Sequence, residues 1–486
     1  MTNSLLRFLL LGSFLFLFSS VASAQASFIY TLNDLSTGNS ISAFSVDPTG
    51  VLTEIPGSPY FTGESGFGGG LPASNRIAVV GGFLYAANGL SARISAYSIN
   101  QTTGSLTPVP GSPFPSEIGV QGVSLAPTPD GRFLFASFQS SDKVVTYSIS
   151  SNGALTRVST FTLFSNSETA GSKVSPDGRF LAVTVLNVVP GVIEMFAIQP
   201  DGSLMRAPGS PFADGTPDFS GIATSVDFNC KSNLLFVGEG TGLSTIVSVF
   251  NVASSGALTP ISGTPFRPGV GINSGVVSLS PDGQFLFVSN QGSNSITVFR
   301  VSSNGSLSLV AGSPFPTGVN VPDATPGGMT VNKSGTLLFT AVIPNYVAVS
   351  RINNDGTLTS VPGSPATTNQ PFGAFSLAIY PSTNCIEAAQ FDRCLQDENN
   401  GNQFQLNLAT GEYRFTNCNG LVVTGTGVLI KKGNIVSLQH YASDRRVLAK
   451  IDLSANTGYA TIQLLSNGTT LTIIDRNTGN NMCSCL

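Results

Sequence analysis

The stretch Leu279–Phe299, LSPDGQFLFVSNQGSNSITVF, contains two apolar runs with alternating polarity, each bounded by turn residues. Alternation over four to eight residues is typical of a β-strand with one buried face. Asn304-Gly305 follows the second run and predicts a hairpin turn. Together with its flanks the stretch predicts a four-stranded antiparallel unit, with strands at Gly275–Ser280, Gln284–Ser289, Ser295–Val301 and Ser306–Val310.

The unit recurs seven times along the chain at spacings of 49 to 54 residues, and three landmarks stay in phase across the copies. An aromatic residue near the end of the third strand occurs at Phe44, Tyr97, Tyr147, Phe196, Phe250 and Phe299, with Ser350 in the seventh place. A turn glycine with leucine two positions later occurs at Gly50, Gly104, Gly153, Gly202, Gly256, Gly305 and Gly356. A Gly-Ser-Pro-Phe-like motif begins at Gly57, Gly111, Gly209, Gly263, Gly312 and Gly363, whereas the third repeat reads Ser159–Phe164 instead.

The repeat predicts an all-β, seven-bladed β-propeller over residues 25–384. A four-stranded sheet cannot bury both of its faces alone, but seven such sheets around an axis can. The first unit begins at its second strand, Phe28–Leu32, and the missing inner strand follows the seventh unit at Phe372–Tyr380. We therefore expect the last strand to complete the first blade and close the ring.

The N-terminus reads as a signal peptide over residues 1–24. Arg7 precedes the apolar run Phe8–Phe18, which is too short to span a bilayer, and Ala22-Ser23-Ala24 fits a cleavage site. An uncleaved membrane anchor is the alternative. The sequence thus predicts a secreted protein, extracellular or periplasmic and not membrane-spanning, cleaved near Ala24. Charged residues make up 10% of the chain and form no basic run, so nucleic acid is not an expected partner.

The repeat pattern ends after Pro381, and residues 385–486 read as a second, small all-β domain. Five of the six cysteines lie here, and export permits disulfides. A metal site is the alternative, but the CxxC-like pairs and neighbouring histidines that it needs are absent from the sequence. The sixth cysteine, Cys230, falls at a propeller turn, and its role is left open. The disulfide candidates are Cys385, Cys394, Cys418, Cys483 and Cys485.

The predicted propeller contains no histidine, because the only one in the sequence, His440, lies in the predicted C-terminal domain. This excludes Ser-His-Asp and His-based zinc catalysis from the propeller. Ligands usually bind in concave mouths, which here would be formed by the loops that lead into the inner strands and join second to third strands. Candidate ligand-binding residues at this mouth are Asn75, Gln121, Glu168, Asp218, Glu239, Asn273, Asn290 and Asp323.

These side chains offer mainly oxygen ligands, which suit calcium or a polyol. Glu168, Asp218 and Asp323 are the candidate calcium ligands. The alternative for each candidate is that Asn and Asp at blade turns satisfy backbone N–H groups. Both readings stay open from the sequence.

The sequences SPDGQFLFVSN followed by NSITVF, and SPDGRFLAV at Ser175–Val183, resemble the lactonase-type seven-bladed propellers. That group includes the bacterial 6-phosphogluconolactonase-like and YVTN-repeat proteins, and the resemblance covers about residues 27–384. It implies lactone hydrolysis as one activity, for which a Ca²⁺ held by the mouth oxygens would be the Lewis acid. Arg76, Arg93 and Arg267 lie near the predicted mouth, but none matches a catalytic motif of the family.

The sequence therefore predicts a secreted propeller that binds a small polar ligand, a glycan or an extracellular protein through its channel mouth. The first alternative is a lactone hydrolase, and the second is a structural cell-surface protein. Whether the protein is an enzyme is left open.

Overall fold

A computed structural model describes the propeller over residues 26–69, 75–116, 123–163, 168–185, 191–215, 222–240, 245–271, 273–370, 373 and 375–382. Beyond these it describes the backbone of eight C-terminal strands. The chain divides into two compact units, Met1–Cys385 and Ile386–Leu486. The predicted signal peptide lies outside the described residues. Among the described residues, no helix has the length and apolarity needed to cross a membrane.

The first unit is the predicted seven-bladed β-propeller. Its inner strands, from blade one to blade seven, are Ser376–Tyr380, Ile77–Val80, Val123–Pro127, Thr169–Val174, Ile222–Phe228, Ser274–Leu279 and Thr325–Val331. The second strands are Ser27–Leu32, Phe83–Asn88, Phe133–Phe138, Phe180–Val185, Leu234–Gly240, Phe285–Asn290 and Leu337–Ile343. The third strands are Ser40–Val46, Arg93–Ile99, Lys143–Ile149, Val192–Ile198, Ile246–Val252, Ser295–Val301 and Tyr346–Ile352.

The outer strands are short in most blades. They are Leu52–Glu54, Leu106–Pro108, Leu155–Thr162, Leu204–Arg206, Leu258–Pro260, Leu307–Leu309 and Leu358–Ser360. Two-residue strands at Tyr60–Phe61, Phe114–Pro115, Phe212–Ala213, Phe315–Pro316 and Ala366–Thr367 continue the edge of five blades. Gln291–Ser293 forms a single 3₁₀ turn between the second and third strands of the sixth blade.

The last propeller strand closes the ring as predicted. Ser376–Tyr380 pairs antiparallel with Ser27–Leu32, with Tyr30 opposite Ala378, and so supplies the inner strand of blade one. Buried apolar side chains then fill the space between neighbouring blades: one such cluster joins Tyr30 and Ala378 of blade one to Ile77 and Leu84 of blade two.

The Gly-Ser-Pro motif interrupts the outer edge of a blade in a defined way. In six blades its serine or threonine hydroxyl accepts a hydrogen bond from a backbone N–H of the third strand, as in Ala96 N to Ser112 Oγ at 2.8 Å. The peptide bond before each of these prolines is cis. The equivalent acceptors are Ser58, Ser210, Thr264, Ser313 and Ser364. The motif thus satisfies a third-strand donor that the short outer strand leaves unpaired.

Blade three lacks the motif, and its third strand is paired by a longer outer strand instead. Its outer strand, Leu155–Thr162, runs unbroken along the third strand, with a register shift between Thr146 and Tyr147. A bulge of this kind inserts an extra residue without ending the ladder. The departure of this repeat from the sequence pattern therefore corresponds to a continuous edge strand.

The seven turn glycines lock neighbouring blades together. All seven have a positive φ, +73° at Gly104. A Cβ on Gly104 would lie 2.4 Å from the ring of Phe28, the apolar residue near the start of the second strand in the preceding blade. Gly153 meets Phe83 and Gly202 meets Phe133 in the same way. The repeat needs glycine here both for the turn and for the close approach of the next blade.

The second unit is a closed eight-stranded antiparallel sheet. The alternation of the sequence predicts all-β structure here, and Gln403–Leu406 pairs antiparallel with Glu412–Thr416 as a hairpin. The eight strands are Arg393–Asp397, Gln403–Leu406, Glu412–Thr416, Val422–Lys432, Ile435–His440, Val447–Asp452, Tyr459–Leu464 and Thr470–Asp475.

Candidate functional site

The inner strands surround a channel that contains a cavity of about 250 Å³. We call the end formed by the turns between inner and second strands the lower end, and the opposite end the upper end. The cavity reaches from Asn75 to the lower turns around Pro129, Pro176 and Pro281. Its wall combines apolar side chains such as Leu279 with hydroxyls. Cavities lined mainly by apolar groups with a few polar ones are the usual form of small-ligand sites.

Hydroxyl groups of the inner strands cross-link neighbouring blades around the channel. Ser172 Oγ donates to Ser124 Oγ at 3.0 Å, joining blades four and three. Ser225 Oγ donates to the carbonyl of Gly275 at 2.9 Å and accepts from Val277 N at 2.9 Å, joining blades five and six. These serines are nearly inaccessible to solvent. They hold the inner strands in register and thereby fix the shape of the cavity.

Two charged side chains lie in the cavity wall. Lys173 Nζ lies 3.1 Å from Asp227 Oδ1, joining the inner strands of blades four and five. The lysine side chain is 43% exposed and the aspartate 12%. Asp227 also accepts backbone N–H bonds from Phe228 at 3.1 Å and from Leu279 at 2.9 Å. Among the described residues that line the cavity, these are the only two with a charge.

A second ion pair lies at the upper end, where the ring closes. Arg76 donates to the carboxylate of Asp34 and, at 3.0 Å, to the carbonyl of Gly69. The rings of Phe67 and Phe375 contact the guanidinium at 5.3 and 5.4 Å from their centroids. Burial raises the pKa of Asp34, and the nearby Arg76 charge opposes that rise.

Both members of this upper pair are 1% exposed. A group so enclosed has no surface to offer a ligand. We therefore assign Arg76, one of the three arginines near the predicted mouth, to ring closure.

The structure separates the predicted site residues. Asn75 lines the cavity, and its Nδ2 donates to the carbonyl of Ser172 at 3.4 Å. Asn290 is fully buried at the end of the second strand of blade six, where it accepts a hydrogen bond from Thr245 of blade five at 2.6 Å and donates to Thr297 of its own blade at 2.9 Å. Glu239 is equally buried and accepts a hydrogen bond from the Ser248 hydroxyl. Of these three, only Asn75 reaches the cavity wall.

The remaining candidates lie on loops or outside the described residues. Asn273 has a φ of +54° and donates from Nδ2 to Gln291 at 3.3 Å. Glu168 and Asp323 are exposed. Gln121 and Asp218 lie outside the described residues.

The calcium prediction has no support from the part of the chain that the structure describes. Within it, no three His, Cys, Asp or Glu side chains come together in a way that could hold a metal ion. Because Asp218 is outside that part, the predicted set of Glu168, Asp218 and Asp323 stays a prediction.

Cys230 lies at the lower end of the channel. It lines the cavity and is disulfide-bonded. Cys385, Cys418, Cys483 and Cys485 lie outside the described residues, and of Cys394 only the strand backbone is described. The pairing of these cysteines stays a prediction.

The sequence contains a signal for the channel pair that the site prediction missed. Lys173 and Asp227 are the only charged residues in the seven inner strands. The predicted site residues lie on loops, where functional side chains are common. A charge on a strand that faces the channel is a more specific signal, since burying a charge is costly unless it is paired.

The comparisons with known proteins agree with this architecture. Residues 81–217 and 228–371 match the family model described as lactonase, 7-bladed β-propeller, and together they make up more than half of the chain. The chain belongs to this lactonase family. No curated protein sequence matches it.

Solved structures with a similar fold include two lactonase-type propellers. A candidate 6-phosphogluconolactonase from Bacteroides fragilis matches with a TM-score of 0.59 and 19% identity, over 74% of this chain and 99% of its own. A periplasmic gluconolactonase from Pseudomonas aeruginosa matches with a TM-score of 0.56 and 18% identity, over 70% of this chain and 97% of its own. At these identities the likeness concerns the fold alone.

Proposed function

We propose that this protein binds a small polar ligand in the lower half of its central channel. The observation that carries the proposal is the cavity of about 250 Å³, whose wall combines apolar side chains with an oriented ion pair and hydroxyls such as those of Ser278 and Thr330. Small-molecule sites commonly occupy about 300–1,000 Å³. A cavity slightly below that range suits a ligand the size of a monosaccharide.

Filling the cavity tests this proposal. Ser278 lies half-buried on an inner strand and lines the cavity, so Ser278→Tyr should occupy ligand space. Thr156→Tyr adds the same side chain to an exposed outer strand and serves as the control. Isothermal titration of the mature protein with aldonic acids, aldonolactones and alditols is the measurement. Binding that Ser278→Tyr abolishes and Thr156→Tyr keeps supports the channel; equal binding by both variants places the ligand elsewhere.

Lactone hydrolysis is the second candidate function, and membership of the lactonase family favours it. Water would add to the lactone carbonyl and the ring C–O bond would break, giving a hydroxy acid and requiring no other co-reactant. The Lys173 ammonium is the group in the cavity that could stabilise negative charge on the carbonyl oxygen, which is commonly a large catalytic term. Asp227 would orient that ammonium.

A pH-stat assay with D-glucono-1,5-lactone separates binding from turnover, because hydrolysis releases acid. We expect acid release above the spontaneous rate with wild type and a loss of at least tenfold in Lys173→Gln. The assay is repeated with chelator and with added Ca²⁺, which tests the calcium prediction directly. A rate equal to the spontaneous one under both conditions would contradict the enzyme.

We also propose that the protein is exported and cleaved near Ala24. The apolar run Phe8–Phe18 supports export, as does the disulfide at Cys230, because disulfides persist mainly in oxidising compartments. N-terminal sequencing and thiol counting of protein recovered from its native host test this. A mature chain that begins near Gln25 with no reactive thiol is expected; an intact N-terminus with free thiols would contradict export.

A further inference from the structure

We infer that the channel selects ligands with one carboxylate group, held by Lys173, and disfavours both neutral and phosphorylated ones. This inference rests on the proposed function and gives the chemical class of its ligand. It assigns Lys173 to ligand contact and Asp227 to positioning. The two charges have unequal surroundings.

Asp227 is held by its hydrogen bonds. Oδ1 accepts from its neighbour Phe228 N at 3.1 Å, and Oδ2 accepts from Leu279 N at 2.9 Å. Leu279 belongs to the inner strand of the next blade, so the backbones of two blades fix the carboxylate. With Lys173 Nζ also on Oδ1, both oxygens are engaged, and the side chain is only 12% exposed.

The Lys173 ammonium can bind a ligand in addition to Asp227. An ammonium has three N–H donors, and the structure shows Asp227 as its ion-pair partner. Its side chain is 43% exposed and lines the cavity. In the described wall, the ammonium is therefore the charged group available to a ligand. Asp227 orients this ammonium, and its own carboxylate oxygens are hydrogen-bonded to backbone N–H groups. Charges in a cleft with low-dielectric walls act more strongly on a ligand than charges on an open surface.

The rest of the wall restricts the kind of anion. Hydroxyls at Ser278 and Thr330 can bind ligand hydroxyls, whereas Leu279, Met329 and Ile379 form apolar surface. A phosphate carries nearly two charges and is usually bound by several cations or by a bidentate arginine. The described cavity wall contains one lysine and no arginine. This favours a monoanion such as an unphosphorylated sugar acid.

Isothermal titration with three matched compounds tests the inference: D-gluconate, D-glucitol and 6-phosphogluconate. We expect wild type to bind gluconate at least tenfold more tightly than either of the others. Lys173→Gln should lose that preference for gluconate over glucitol, whereas Lys173→Arg should keep part of it. Lys333→Gln, which removes an exposed charge from a lower turn, is the control and should behave as wild type.

The salt dependence of binding to wild type also tests the inference, and it does not depend on whether a variant folds. Gluconate affinity should fall as salt is raised, and glucitol affinity should stay constant, because only the former depends on charge. Equal affinities for gluconate and glucitol in wild type would overturn the anion inference and leave the proposed channel site standing. Tightest binding of 6-phosphogluconate would also overturn it. Failure of all three compounds to bind would overturn both proposals.

Discussion

The phenol of Tyr30 donates a 2.7 Å hydrogen bond to the carbonyl of Gly104, which belongs to the next blade. The same glycine lies against Phe28 of the Tyr30 strand. Tyr85 and Gly153 repeat the bond one blade further along the ring, at 3.0 Å. The turn glycine of one blade thus packs against the second strand of the blade before it.

Gly104→Ala should destabilise the propeller more than an ordinary glycine substitution. It adds left-handed strain of about 1–2 kcal/mol and overpacking of about 1–3 kcal/mol against Phe28. Gly63→Ala is the matched control, because Gly63 has φ +74° and no atom within 4 Å of an added Cβ. Urea unfolding of both variants measures the difference. Equal losses would contradict a packing role for Gly104.

Ser112→Ala should cost about 1–3 kcal/mol, because it leaves the buried N–H of Ala96 without its acceptor. Ser112→Thr should retain most of the stability, since Thr264 fills this position in blade five and accepts at 2.9 Å. Hydrogen exchange at the Ala96 amide, together with the unfolding midpoint, checks both variants. Protection of that amide in Ser112→Ala equal to wild type would contradict the assignment.

Arg76→Met should destabilise the ring by about 3–5 kcal/mol, because it leaves the buried carboxylate of Asp34 without its cationic partner. Arg93→Met is the control. Arg93 pairs with Glu64 at 3.6 Å and is 44% exposed, so its loss should cost about 1 kcal/mol or less. Thermal unfolding compares the two. Similar small losses would show that the upper pair is dispensable for closure.

Asp177 should make stability depend on acid pH. Partial burial raises its pKa, but hydrogen bonds from the Ser175 hydroxyl and from Arg179 outweigh this and hold the pKa below its ordinary value of 3.8. A depressed folded-state pKa contributes stability above the unfolded value that is lost as pH falls through the folded one. The stability difference between wild type and Asp177→Asn should therefore shrink below about pH 4. A difference that stays constant down to about pH 2 would contradict this.

The fold could be predicted from the sequence because its signals are local and repeated seven times. Turn glycines, hairpin turns and alternating strands each follow from short-range chemistry, and even the missing Gly-Ser-Pro motif of the third repeat marks a real change of edge. Ring closure followed from counting strands. The closed arrangement of the C-terminal sheet could not be predicted, because closure depends on pairing between its first strand, Arg393–Asp397, and its last, Thr470–Asp475.

The site was harder to predict. A polar residue at a loop end can either line the cavity or form hydrogen bonds inside the propeller wall, and the sequence looks the same in both cases. Asn75 and Asn290 both lie at predicted loop ends, yet only Asn75 reaches the cavity, whereas Asn290 bonds buried hydroxyls of blades five and six. Asn75 precedes an inner strand, whereas Asn290 ends a second strand, which lies one strand further from the channel. Lys173 and Asp227 are 54 positions apart, and only the propeller geometry brings them together.

A crystal structure of the mature protein grown with D-gluconate would locate the ligand. We expect ligand density in the lower half of the channel, with a carboxylate oxygen within hydrogen-bond distance of Lys173 Nζ and the Asp227 bonds unchanged. Gluconate bound at the upper loops, with the lower cavity filled only by water, would contradict this expectation.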